Sequence, residues 1–215
     1  MALESPTVVF VGPSLPVHSR PNTGGAVTWR QPASRGDLAG LDLPPGSRVV
    51  LIDGYLIQQH PPSPTEVSGL IERGHEVWGC SSLGALRAAE LRHHGMRGYG
   101  WVYDRVVDRT ITYDDELVAP LDPRTGEAAG LFMANIRYGL GQLIAAGRAS
   151  HRGAQTLIDD LRALHFEQRT IRRCRALAMA AGLDTDAIDE LLTSDVKRND
   201  AAALITHITN PVPTP

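Results

Sequence analysis

Three short, largely apolar runs constrain this chain more than anything else in it: Thr7-Val8-Val9-Phe10-Val11, Arg48-Val49-Val50-Leu51-Ile52 and Glu76-Val77-Trp78. They are too short for helices and rich in β-branched residues. The first two end at turn residues, Gly12-Pro13-Ser14 and Asp53-Gly54. Runs of this kind are strands covered on both faces, which is the condition of a parallel sheet with helical crossovers. The crossovers are visible. Pro64-Thr65-Glu66 opens a helix that runs to about Arg73 and stops at Gly74, and a second helix spans Ser82 to His94. Residues 12–46 are rich in Pro and Gly and read as irregular, and residues 97–123 as mixed and turn-rich. From Glu127 onward the pattern is helical. Ala154, Leu157, Ile158, Leu161 and Leu164 share one face, a helix from Gln168 to Ala181 is closed by Gly182, and Asp184 caps the next. A last helix starts at about Asp200 and carries Leu204, Ile205 and Ile208. The expected fold is α/β: a parallel sheet core with flanking helices over residues 1–125, then a helical C-terminal region over 126–210 that carries Lys197. Residues 211–215 form a frayed tail.

Ligands of such sheets bind beyond the carboxyl ends of the strands. Gly12, Asp53-Gly54 and the segment Cys80-Ser81-Ser82-Leu83-Gly84-Ala85 all fall there. In that segment an apolar run passes directly into a helix, with Cys80 two before and Gly84 two after Ser82. Small residues at that spacing are how several hydrolases present a nucleophilic serine at a tight turn. The N–H groups of the new helix can then hold an oxyanion. Serine is also a favoured helix N-cap, and Ser81 fits the cap role as well as Ser82 does.

Composition narrows the classes. A net charge of −3 over 215 residues leaves no footprint for nucleic-acid binding. No apolar run is long enough for a membrane span, and the N-terminus carries Glu4 and no basic stretch, so no signal peptide is expected. The two cysteines, Cys80 and Cys174, make no disulfide or metal framework. The expectation is a soluble cytoplasmic protein. Of the 21 basic residues Lys197 is the sole lysine, the rest being arginine. Lysine can lose its proton when desolvated and arginine effectively cannot. Flanked by Asp195 and Asp200, Lys197 reads by itself as a solvated side chain. As a base for Ser82 it would need burial, with the Arg198 charge helping and the two aspartates opposing.

Other groups compete for attention. Asp114-Asp115-Glu116 could hold Mg²⁺ but suits the first turn of a helix better, and no metal site is expected. His151, His165 and His207 lie downstream of the serine, none in a recognisable catalytic loop. Arg169, Arg172, Arg173 and Arg175 concentrate charge on one helix that could attract an acidic protein partner. There is no phosphate-binding loop.

Taken together, several segments resemble the TfuA-like proteins. They are Phe10-Val11-Gly12-Pro13-Ser14-Leu15, Gly36-Asp37-Leu38, Ile52-Asp53-Gly54-Tyr55 and Gly79 through Leu91. Gly95-Met96-Arg97-Gly98 and Asp114-Asp115-Glu116 follow in the same order. The resemblance covers roughly residues 7–120, the helical part matching more loosely. It implies a partner of a YcaO-type cyclodehydratase in backbone thioamidation of a precursor peptide. In that chemistry the YcaO enzyme uses ATP, and no cofactor is expected on this chain. It further implies a Ser–Lys hydrolase that releases sulfide from the thiocarboxylate of a ubiquitin-like sulfur carrier protein. Carried over, the serine falls in the Ser81-Ser82 pair, where the small flanking residues select Ser82, and the lysine is Lys197. The oxyanion donors would be the N–H of Leu83 with that of Gly12 or Gly54, and Asp53 an orienting group. A non-catalytic adaptor docking YcaO to its peptide, and a general serine hydrolase, are the alternatives. One departure stands out: where the family often has His-Lys-Glu at the start of the helix after the second strand, this chain has Pro64-Thr65-Glu66.

Overall fold

The computed structural model describes residues 6–55, 60–122 and 124–209. The expected tail at 211–215 lies outside them. The described chain forms two compact units, one from Met1–Ile111 with Lys197–Pro215 and the other from Thr112–Val196.

The first unit is built on a five-stranded parallel sheet in the order β2-β1-β3-β4-β5. Its strands are β1 (Thr7–Phe10), β2 (Val27–Arg30), β3 (Arg48–Leu51), β4 (Glu76–Gly79) and β5 (Arg97–Gly98). The three apolar runs are the three central strands, as their continuous hydrophobicity predicts. Alternate residues serve opposite faces. Val8, Phe10, Val49, Leu51 and Val77 meet α1 (Pro64–Glu72) and α2 (Leu83–Leu91) through Val67, Leu70, Leu83, Ala88 and Leu91. Val9, Val11, Val50 and Ile52 meet α8 (Val196–Thr209) through Ala201, Leu204, Ile205 and Ile208. Each Val, Leu, Ile or Phe among them stabilises the fold by about 1.5–3 kcal/mol relative to exposure. Ser63 starts α1 with a capping box closed by Glu66.

Three elements of this unit escape the sequence pattern, among them the two-residue strand β5, which lies in the stretch that reads as turn-rich. β2 lies within the stretch that reads as irregular. It is an edge strand in which only Val27 is buried, so it lacks the apolar run of its neighbours. α3 (Gly100–Val107) begins at Tyr99-Gly100 without a local capping side chain. Its first N–H groups are met from α8, where the Asp200 carboxylate accepts from Trp101 N at 3.0 Å and Val102 N at 2.8 Å.

The second unit packs α4 (Met133–Ala145), α5 (His151–Arg162), α6 (Ile171–Ala180) and α7 (Thr185–Thr193). Their core includes Met133, Ile136, Leu140, Leu157, Leu161, Cys174, Ala178, Ile188 and Leu191. Ser150, Thr170 and Asp184 cap α5, α6 and α7 through their side chains.

The expected division at residue 126 is corrected. Lys197 belongs with the sheet and not with the helical unit. Its helix starts at Val196, four residues before the expected Asp200, and buries its apolar face on the sheet. No helix among the described residues is long and apolar enough to cross a membrane.

Candidate active site

The turn after β4 is set by close backbone packing. A Cβ on Gly84 would stand 1.7 Å from the Leu51 carbonyl oxygen, and one on Gly79 would stand 2.1 Å from the Gly84 oxygen. Glycine at both positions brings the start of α2 against the ends of β3 and β4. Gly84 N–H then donates to the Ile52 carbonyl at 3.2 Å. The small residue that matters before the serines is therefore Gly79, with the wholly buried Cys80 packed under the sheet. The backbone turns at Ser81, whose φ is +64°. A non-glycine residue held there costs of order 1–3 kcal/mol and persists only where its surroundings impose it.

Ser82 occupies the N-cap of α2, yet its hydroxyl makes no capping hydrogen bond. It instead accepts from Lys197 Nζ at 3.4 Å. Lys197 is 1% exposed and Ser82 5%. A solvated lysine is thus not what the structure contains. The distance exceeds the roughly 2.6–3.2 Å of a working proton-transfer pair, as hydrogen bonds of this kind commonly do before substrate is bound. Ser81 is fully buried, and its Oγ donates to the Lys197 carbonyl at 2.7 Å and lies 3.3 Å from Cys80 Sγ. Of the two serines, Ser82 is the one that faces the amine. Burial pushes the Cys80 thiol far above its ordinary range, so it stays protonated and is no rival nucleophile.

The neighbouring strand ends converge as expected but divide the work differently. Asp53, 2% exposed, accepts from Gly12 N at 2.8 Å, Ser14 N at 2.9 Å and Ser14 Oγ at 2.7 Å. It orients the loop after β1, at the point between β1 and β3 where the strand order reverses. The Gly12 N–H is spent on this carboxylate, which corrects its expected role as an oxyanion donor. Gly54 lies against α2, since a Cβ there would fall 2.1 Å from Leu83 Cδ2. The aspartates flanking Lys197 are engaged elsewhere: Asp200 on the start of α3, Asp195 accepting from Asn135 Nδ2 at 3.1 Å. Burial raises the Asp200 carboxyl to about 6 against the lowering effect of the Val102 and Trp101 N–H groups.

Sequence reasoning missed the tie from Ser81 to Lys197 and the capping of α3 by Asp200. The bare start of α3 was the available signal for the second. Nothing local signals the first.

In the helical unit, one expectation is overturned. Arg169 precedes α6 and is 1% exposed. Its guanidinium donates to the carbonyls of Leu161 (3.1 Å), Asp115 (2.7 Å) and Leu164 (3.0 Å), and to the Asp115 carboxylate. It is a buried structural residue and cannot meet a partner. Arg172 and Arg173 are exposed, while Arg175 pairs with Asp189 at 2.7 Å. Two of the three acidic residues, Asp115 and Glu116, are likewise committed to arginines. Glu116 is buried and accepts from Arg137 Nε at 2.5 Å and Nη2 at 3.3 Å. No group of metal-ligating side chains occurs among the described residues.

A parallel α/β sheet with a buried serine–lysine pair at a glycine-packed strand-to-helix turn is the class of protein that the fold and site define. The family model described as TfuA-like protein matches residues 53–170, more than half of the chain, and the chain belongs to that family. The matched range includes Asp53, Gly54 and Ser82 and stops before Lys197. No curated protein matches the chain.

Proposed function

We propose that this protein is a Ser–Lys hydrolase that frees sulfide from the thiocarboxylated end of a ubiquitin-like sulfur carrier protein, for use by a YcaO-type enzyme in thioamidation of a precursor peptide. The observation that carries the reading is the 3.4 Å approach of Lys197 Nζ to Ser82 Oγ inside the protein. In its neutral form Lys197 takes the Ser82 proton as Oγ attacks the thiocarboxylate carbon. The N–H groups of Leu83 and Gly54 hold the oxyanion. The C–S bond breaks, and the sulfur takes the proton back from Lys197 and leaves as hydrosulfide, a weaker base than an amine. Water then attacks the acyl-serine ester, Lys197 again taking a proton and returning it to Oγ. One thiocarboxylate and one water yield one carboxylate and one hydrogen sulfide, with no redox partner. ATP enters only at the YcaO enzyme.

The test is sulfide release from a purified thiocarboxylated carrier. Ser82→Ala and Lys197→Met should each lower the rate about 10²–10⁴-fold. Undiminished release by Ser82→Ala would sink the reading.

An adaptor role is favoured by a separate observation. α6 exposes Arg172 and Arg173, and on the same helix Ile171 (57%) and Met179 (62%), a basic and partly apolar surface suited to an acidic protein. If docking is the whole function, Lys197→Met leaves thioamide formation intact and Arg172→Glu with Arg173→Glu abolishes it. Turnover of a model thioester without carrier or YcaO would point to a general serine hydrolase.

A further inference from the structure

We propose that Ser81 is the positioning residue of the Ser82–Lys197 pair, its hydroxyl anchoring the backbone of the lysine and its left-handed φ aiming the next hydroxyl at the amine. The inference rests on the reading of the site given above and adds a part to it.

Ser81 and Arg109 are the non-glycine residues with positive φ among the described residues. Arg109 ends a surface helix. Ser81 is wholly buried between β4 and α2, where glycine would adopt the same backbone without strain. The side chain therefore has a use that offsets the conformation. A serine hydroxyl has one proton, and at Ser81 it is directed at the Lys197 carbonyl, 2.7 Å away and 116 positions along the chain. Lys197 is consequently gripped at both ends by consecutive serines: its carbonyl by Ser81 and its Nζ by Ser82. This closes a ring of two hydrogen bonds around one flexible side chain.

Such a ring has mechanical meaning. A lysine amine sits on a four-carbon stem and is placed only as well as its backbone is placed. α8 is held further along by Asp200 on the start of α3 and by Arg48, which donates to the Ile208 carbonyl at 3.0 Å. Those ties keep the helix on the sheet when Ser81 is changed. The Ser81 bond acts at Lys197 itself. Its proton being committed and its surface closed, Ser81 is not the nucleophile.

Two substitutions separate positioning from folding. Ser81→Gly removes the hydroxyl and relieves the backbone; Ser81→Ala removes the hydroxyl and keeps the strain. The expected result for both is a kcat for sulfide release lowered about 10–100-fold with KM within about twofold, because a misplacement near 1 Å at the reacting groups has effects of that size. Ser81→Gly should melt no lower than the parent protein. The second readout needs no carrier: the rate at which a fluorophosphonate labels Ser82, located by peptide mass, should fall in parallel in both variants. Parent-like kcat and labelling in Ser81→Gly would overturn the inference, as would losses no larger than the unfolded fraction, or a parent protein that the probe does not label at Ser82. Sulfide release that survives Ser82→Ala would instead remove the proposed reaction, while the labelling rates still decide the role of Ser81.

Discussion

Lys197 Nζ and Ser82 Oγ lie 3.4 Å apart although 115 positions separate them in the chain. The contact exists because α8 returns to the sheet after the helical unit and lays Ala201, Leu204 and Ile205 on the face opposite α1 and α2. Its first turn then falls at the carboxyl end of β4, where the serine turn begins. The hydroxyl is free for this contact because Ser82 does not use it to cap its own helix.

The approach of α2 to the sheet depends on Gly84. A Cβ there would stand 1.7 Å from the Leu51 carbonyl oxygen, in the middle of the sheet where the backbone cannot give. Gly84→Ala should destabilise the protein by about 3 kcal/mol or more. Gly141 is the control: it lies within α4 with no atom near its absent Cβ, so Gly141→Ala should stabilise by about 0.5–1 kcal/mol. Urea denaturation midpoints read both.

Asp200 gives a pH dependence of definite sign. Its folded carboxyl titrates at about 6, against an ordinary value of 3.8. Between those values the folded chain holds a proton that the unfolded chain has released. Stability from this group is therefore present at low pH and is lost as pH rises towards 6, by at most roughly 3 kcal/mol. The difference in unfolding free energy between the parent and Asp200→Asn, followed from pH 4 to about pH 7, should decline over that window and then level off. A flat difference would show that the carboxyl is not perturbed.

Both thiols should be silent in the native protein. Burial lifts Cys80 far above the ordinary thiol range and Cys174 to about 11, and neither is exposed. A disulfide reagent at pH 8 should label neither in the native state and both in denaturant. Rapid native labelling at Cys80 would mean that the turn beside Ser82 opens readily.

The arginines before and on α6 should separate cleanly. Arg169→Ala leaves the Asp115 carboxylate and three carbonyls without their donor and should cost about 3–5 kcal/mol in stability. Arg172→Ala and Arg173→Ala are exposed changes and should each stay within about 0.5 kcal/mol. Thermal melts of the three variants test the distinction.

The sequence by itself determined the three central strands, the helices that cross between them and the turn that presents the serines, because continuous apolar runs and capping residues are local signals. It also singled out Lys197 by its chemistry, as the sole lysine among arginines. It could not reveal the edge strand β2, where only one residue is buried, or α3, whose capping carboxylate is 98 positions away on α8. Nor could it separate Arg169 from Arg172 and Arg173, since charge spacing does not record which guanidinium is enclosed. Only the tertiary structure decided that Lys197 is buried, that Ser82 faces it, and that Ser81 holds its backbone. Those facts depend on where α8 returns in space, which follows from packing on the far face of the sheet and leaves no trace in the spacing of the residues concerned.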